Sequence, residues 1–366
     1  MNDALNQQTQ TSYYEKALNA IVDGRQGVNR GLSMGLDRGI DIIPNIQKGT
    51  YYVIGGQPAS GKSSWALHAF MYSPIEDVLK HPERGDVKVY LFSFEITIKS
   101  ILAKAIARRI FLENNILVDV PYLLSKGRNW CSDEIFDLVK EKAPYFEPLE
   151  DKIVIFDEVE NPTGINKYLR GELNKQGKLI TRDYISDEGR REKAVMGFEP
   201  KDPNLYNIAI IDHVGLTKKE RGFSNKANID KLSEYMFRLR NTYGLTPVIT
   251  QQYNREVSNV KRFELKKLEP QLSDFKDSGN TTQDADIVIG IFNPFSHELP
   301  TWRQYDSGRL KDRIRGMCVL KNRDGTAGAR IPLGFIGECG YFEELPKASK
   351  ILDKHYLALE QLSKIH

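Results

Sequence analysis

The sequence predicts an α/β domain with a mainly parallel central sheet flanked by helices, and two observations predict it. Short apolar, β-branched runs alternate with longer helical patterns from Thr50 onward, the rhythm of strands joined by crossover helices. A glycine-rich phosphate loop stands between the first of those runs and the first of those helices, in the order strand, loop, helix that such a loop requires.

Taken in order, Ser12 to Val22 is predicted as an amphipathic helix. Ser12 and Glu15 form an S-x-x-E capping box, and Tyr14, Ala17, Leu18, Ile21 and Val22 share one face, so the stripe needs a partner. Residues 23–39, with glycines at 24, 27, 31, 35 and 39, read as a linker. The predicted strands are Tyr51 to Ile54, Val87 to Phe94, Lys152 to Phe156, Ile208 to Ile211, Pro247 to Thr250, Ile287 to Phe292 and Met317 to Leu320. Residues 175–204 are dense in charge with little periodicity and read as a surface insertion. The tail from 347 onward is predicted as a further helix, with Ile351, Leu352, Tyr356, Leu359 and Leu362 apolar. The expected organisation is a linker helix and tether over 1–30, the α/β domain that carries the phosphate loop over 31–346 and a helical tail over 347–366.

Composition narrows the function classes. Apolar residues at 40% and charged residues at 28% exclude a mostly disordered chain. The formal net charge of +3 means that a nucleic-acid role must rest on locally placed Lys and Arg. Cys131, Cys318 and Cys339 are far apart and form no C-x-x-C pair, which argues against a disulfide or zinc framework and fits a reducing cytosol. No run approaches the roughly 20 apolar residues of a membrane span, and the polar start lacks a signal-peptide core.

The strongest motif is Gly56-Gln57-Pro58-Ala59-Ser60-Gly61-Lys62-Ser63, followed by Ser64. Glycines let the backbone close around phosphates, amides at the helix start point at anions, Lys62 adds a cation and Ser63 ligates magnesium. ATP and Mg2+ are therefore the expected ligands. A second magnesium carboxylate is expected at a strand end, and two places offer one: Asp212 after Ile208 to Ile211, and Asp157-Glu158 after Ile153 to Phe156. Local pattern alone does not separate them. Glu95, closing the strand Val89 to Phe94, can activate the attacking water, which removes the need for a glutamate beside the metal ligand. Asp212 is then the metal residue, and Asp157 and Glu158 are ordinary strand-end polar groups.

From Phe92-Ser93-Phe94-Glu95 onward the chain resembles the hexameric DnaB-type replicative helicases, which are built on a RecA-like core. The resemblance continues through Ile211-Asp212-His213, through Pro247 to Arg255 with Gln252 inside it, through Leu272-Ser273-Asp274-Phe275-Lys276-Asp277-Ser278-Gly279 before Gln283-Asp284-Ala285-Asp286, and through Leu320 to Gly328. In all it covers roughly residues 31–342.

The resemblance implies a RecA-like P-loop NTPase core and a set of roles. Glu95 is the catalytic base and Gln252 senses the γ-phosphate, although a strand-end glutamine is often only solvated. Lys321 and Arg323 reach into the neighbouring subunit's ATP site, although a lone K-x-R is by default a solvated pair. Lys276 and Gly279 contact single-stranded DNA in a central channel, with Arg255 lining it. The implied assembly is a ring hexamer of this chain, in which the linker helix docks on the adjacent subunit. The implied activity is ATP-driven 5'-3' translocation with duplex unwinding, with a primase and a helicase loader as further partners and the cytoplasm, a host's if the source is viral, as the location.

Three departures stand out. About thirty residues precede the core, too few for the family's N-terminal collar or a primase domain. His213 replaces the family's usual tyrosine, and the 175–204 insertion has no family counterpart. They point to a divergent, phage-like lineage. Two other functions compete: a RecA-like recombinase or mediator, and a non-motor assembly protein switched by ATP. The segment Ser273 to Gly279 separates the first from a helicase, and Glu95 argues against the second.

Overall fold

In a computed structural model of the chain, the residues described are 12–128, 130–186, 189–254, 262, 268–275 and 280–362. The central sheet has nine strands: β1 (Tyr52–Gly56), β2 (Asp86–Ser93), β3 (Ile153–Phe156), β6 (Leu205–Asp212), β7 (Thr246–Gln252), β8 (Ile287–Phe292), β11 (Ile314–Asn322), β12 (Arg330–Ile336) and β13 (Tyr341–Glu344). Its order is β13-β12-β11-β8-β1-β7-β6-β2-β3. The six strands from β8 to β3 run parallel, and β11, β12 and β13 extend the sheet in antiparallel fashion. The mainly parallel α/β class read from the sequence is the class observed.

Helices cover both faces, which is why the inner strands are apolar at nearly every position. One face carries α2 (Lys62–Leu67), α3 (Ser73–Lys80) and α4 (Ile98–Asn114), packed through Trp65, Phe70, Ile75 and Ile101 onto Tyr52, Ile54, Val89 and Ile210. Beyond α4 come α5 (Val120–Leu123), α6 (Asp133–Glu141) and α7 (Ala143–Glu150). The other face carries α8 (Pro162–Lys175) and α9 (Asn225–Tyr243), which bury Ile165, Leu169, Leu232 and Met236 against Tyr51, Val53 and Ile211. Successive β1 residues thus serve opposite cores, as strand alternation requires. Short helices α10 (Thr281–Asp284) and α11 (Ser307–Leu310) flank β8, and the small hairpin β9 (Thr301–Trp302) with β10 (Tyr305–Asp306) packs at its end. All three cysteines are free. No described helix is long and apolar enough to cross a membrane.

The first helix, α1 (Tyr13–Arg25), begins at the expected capping box of Ser12 and Glu15. Its stripe of Tyr14, Leu18, Ile21 and Val22 is exposed, with Tyr14 at 75%. The glycine-rich segment that follows differs from a plain linker. Leu32 pairs with Ile46 across an isolated bridge, and Leu32, Met34 and Leu36 are buried in the core. Its glycines supply turns (Gly31 φ +68, Gly35 φ +76) that fold the strap onto the domain.

Residues 175–204 contain a two-stranded antiparallel ribbon, β4 (Gly177–Ile185) and β5 (Arg191–Pro200). Most of its residues are exposed on either face, so no alternating apolar pattern marks it. Its base is fixed where Phe198 meets Tyr243 of α9. The tail helix α12 is shorter than its predicted range, Asp353–Glu360, and inserts Tyr356 and Leu359 beside Trp302 and Tyr305. Leu352, predicted apolar, precedes the helix and is exposed.

Candidate active site

The phosphate loop occupies residues 57–61 between β1 and α2. Its shape depends on small residues: a Cβ on Gly56 would lie 2.2 Å from Ser60 Oγ. Gly61 has φ +94 and Ala59 φ +59, left-handed values that turn successive amides toward one concave side. Lys62 is almost wholly buried, yet among the described residues no acceptor engages its ammonium, and Ser60 Oγ is buried without a partner. A cradle of amides around an uncompensated lysine fits a polyphosphate.

Strand order brings the rest of the site together. Asp212 ends β6, two strands from β1, and is 2% exposed. Its Oδ1 accepts from Ser63 Oγ at 2.8 Å and from Thr250 Oγ1 at 2.5 Å. The loop, β6 and β7 therefore converge on one carboxylate, a donor set suited to Mg2+. Ser93 of β2 stands opposite Asp212, and Phe94 N–H donates to the Asp212 carbonyl at 2.8 Å. Glu95, the next residue, is exposed at the mouth.

In the sequence His213 is only a departure from the family, and the structure gives it contacts. Its Nδ1 accepts the Gly215 N–H at 3.2 Å, so Nε2 bears the ring proton. That nitrogen stands 3.4 Å from the side-chain amide of Gln252, a complementary pair when the amide turns its oxygen to the ring. Burial lowers the His213 pKa, and the Lys62 ammonium lowers it further, against the opposing carboxylates of Asp212 and Glu95. Gln252 itself is exposed at the end of β7. The preceding Gln251 points the other way and accepts from Thr281 Oγ1 at 2.9 Å.

Asp157 belongs elsewhere. It follows the edge strand β3, is exposed, and accepts the Ile98 N–H at 3.1 Å at the start of α4.

Lys321 and Arg323 do not join the P-loop of their own chain. Because β11 runs antiparallel to β8, Lys321 and Asn322 pair with Val288 and Ile287 at the start of β8, whereas Gly56 stands beside Ile291 near its end. The two cations are thus a strand length away, on the order of 15 Å. They also differ from each other. Lys321 Nζ donates to the carbonyls of Thr282, Gln283 and Ala285 at 2.9, 2.9 and 2.7 Å. Burial, then the nearby Arg323, lowers its pKa. The sequence expectation that both cations extend to a neighbour therefore meets a lysine already coordinated in its own chain. Among the described residues the Arg323 side chain is bound only through Asp286, at 2.8 Å, and it is 43% exposed.

Arg315 escapes a reading of the sequence altogether. At the opposite end of β11, its Nε donates to the Ser60 carbonyl at 2.8 Å. Beside it opens a cavity of about 910 Å³, lined by Lys104, Arg309, Arg313, Arg315, Phe335 and Glu338 among others. No motif singles out Arg315, because an antiparallel strand 255 residues later brings it to the loop. The expected DNA-contacting residues Arg255, Lys276 and Gly279 lie outside the described residues.

Residues 191–344, which include Asp212, Gln252, Lys321 and Arg323, match the family described as "DnaB-like helicase C terminal domain". No curated protein matches the sequence. Among solved structures the chain is similar to one described as an ATPase domain, with 18% identity and a TM-score of 0.64 over 91% of this chain and 98% of that one. It is also similar to "The Structure Of A DnaB-Like Replicative Helicase And Its Interactions With Primase", with 18% identity and a TM-score of 0.66 over 91% of this chain and 68% of that one. Residues 191–344 are thus similar to the DnaB-like helicase C-terminal domain, and the chain shares the fold of these two solved structures over 91% of its length.

Proposed function

We propose that the chain is the motor of a replicative DNA helicase, a ring hexamer that hydrolyses ATP between subunits and moves 5'-3' along single-stranded DNA. The observation that carries the reading is the placement of Arg323 at the end of the strands opposite the P-loop. A cation there serves a nucleotide only if that nucleotide sits on another copy, and head-to-tail contacts of that kind form a ring when the rotation between copies closes.

Bound Mg-ATP supplies the scissile phosphoanhydride. Lys62 and the loop amides hold its phosphates, and Ser63 with Asp212 orients the metal. Glu95 takes the proton from the attacking water. Arg323 of the next subunit meets the charge that develops in the transition state. Lys321 keeps that end rigid by fixing the carbonyls of Thr282, Gln283 and Ala285. Gln252 senses the γ-phosphate with His213 orienting it, and Gln251 links the same strand end to Thr281, two residues after Gly279. Lys276, Gly279 and Arg255 are the proposed DNA contacts. The exposed stripe of α1 is proposed to dock on the adjacent subunit, which would give Tyr14 and Ile21 the partner they lack among the described residues. A primase and a helicase loader are proposed partners, by likeness to the relative described with primase, and the cytoplasm is the proposed location.

The test is turnover against protein concentration, with and without single-stranded DNA, for wild type, Arg323→Ala, Glu95→Ala and an equal mixture of the two variants. The expected result is cooperative, DNA-stimulated turnover for wild type, about 100-fold or greater loss in each variant, and partial recovery on mixing. Concentration-independent turnover with a silent Arg323→Ala would overturn the shared site and favour a non-motor switch.

A further inference from the structure

Arg315 is 3% exposed, and a buried cation ordinarily has a carboxylate against it. Here the nearest pairing is to Asp312 at 3.9 Å, whose own side chain is 73% exposed. The guanidinium is held instead by neutral groups. Nε donates to the Ser60 carbonyl at 2.8 Å, and Nη1 donates to the carbonyls of Asp312 and Ile314 at 2.9 and 2.7 Å. Its face lies 4.6 Å over the ring of Phe335. Phe335 stacks on Phe342 at 4.5 Å, and Phe342 meets Trp65 of α2 edge-on at 5.2 Å. The cation is therefore fixed in a rigid aromatic seat directly behind the phosphate loop.

Geometry gives the seat a purpose. In a trans peptide the carbonyl of one residue and the N–H of the next point in opposite directions. Drawing the Ser60 carbonyl back onto Arg315 turns the Gly61 N–H forward, to the side on which the loop's amides gather. The seat also packs closely on Gly61, where a Cβ would sit 3.5 Å from Phe342, 3.6 Å from Phe335 and 3.7 Å from Arg315 Nε. The charge matters as well as the hydrogen bond. Burial lowers the Arg315 pKa only to about 10, so the group stays cationic at neutral pH behind the buried Lys62.

We propose that Arg315 is a positioning residue of the nucleotide site, which orients the P-loop through the Ser60 carbonyl and places a permanent positive charge behind the bound polyphosphate. The inference rests on the reading of the loop as an ATP site but needs neither the ring nor DNA. Its charge, only weakly met by the exposed Asp312, is matched more fully when a polyanion enters, so its contribution grows with the number of phosphates on the ligand.

The experiment uses the full chain and titrates fluorescently labelled ATP, ADP and adenosine against wild type, Arg315→Met and Arg315→Lys, with melting temperature as the folding control. Arg315→Met keeps the bulk and loses the charge. It is expected to weaken ATP binding roughly 10- to 100-fold, ADP binding less and adenosine binding least, and to raise KM by a larger factor than it lowers kcat. Arg315→Lys, which keeps the charge and loses the planar fork, is expected to recover part of the ATP affinity. Equal losses for ATP and adenosine, or an unchanged ATP affinity in Arg315→Met, would overturn the proposal. If Arg315→Met does not fold, the ratio of ATP to adenosine affinity in Arg315→Lys decides: a ratio equal to that of wild type overturns it. Wild-type chain that binds no ATP would instead remove the nucleotide reading of the site itself.

Discussion

The apolar runs of β3 and β6 each lead into an aspartate, yet the two carboxylates meet different surroundings. Asp157 is exposed and accepts one backbone N–H at the start of α4. Asp212 is buried and accepts two hydroxyls, from Ser63 and Thr250. Their local sequences are nearly interchangeable, so the difference lies in sheet order. β6 stands two places from β1, about 10 Å, whereas β3 stands four places away at the edge, about 19 Å. Only the nearer one reaches the serine that follows the loop lysine. What a strand-end carboxylate does is thus decided by its lateral distance from the P-loop strand.

The comparison breaks most visibly at Asp212. Asp212→Asn keeps the shape and removes the charge, and turnover is expected to fall roughly 100- to 1,000-fold with a raised Mg2+ requirement. Near-normal turnover in that variant would return the role to Asp157. A smaller effect belongs to the group that holds Asp212. Thr250→Val removes one hydrogen bond to a charged group, about 1.5–3 kcal/mol, and is expected to lower turnover about tenfold, with a shift in the Mg2+ titration as the check. Next comes His213→Ala, expected to weaken DNA stimulation while basal nucleotide binding is kept. DNA stimulation equal to that of wild type would show that Gln252 orients itself without the ring. The smallest effect is at the edge. Asp157→Ala is expected to cost about 1 kcal/mol of stability through the lost contact at the helix start, seen as a lower melting temperature, with turnover within about twofold of wild type because the carboxylate stands clear of the loop.

These contrasts also locate what the sequence could say. The P-loop is legible because its chemistry is local: the glycines, Lys62 and Ser63 sit in eight consecutive residues. The α/β rhythm is legible because strands covered on both faces are apolar throughout. The choice of Asp212 over Asp157 needs a third residue, Glu95, and a family resemblance, since lateral order is a global property. Arg315 is invisible because its partner is a backbone carbonyl distant in the chain, and carbonyls leave no mark in a sequence. The strap reads as a linker because glycines signal turns equally well in a tether and in a segment folded against a core. The ribbon of β4 and β5 escapes notice for the opposite reason: with both faces in water, nothing selects an alternating pattern.

Arg323 enters the proposed cycle already bound, and its binding partner is shared. Asp286, 6% exposed, accepts the Tyr51 N–H at 2.9 Å and holds both Arg323 at 2.8 Å and Arg240 at 3.3 Å. When Arg323 leaves for a neighbour's phosphates, Arg240 stays behind, so no buried carboxylate is stranded without a cation. Engagement of the finger is therefore an exchange of one anion for another, and its free energy is a difference between two ion pairs. A contact poised in that way can be made and released once per cycle without becoming a trap.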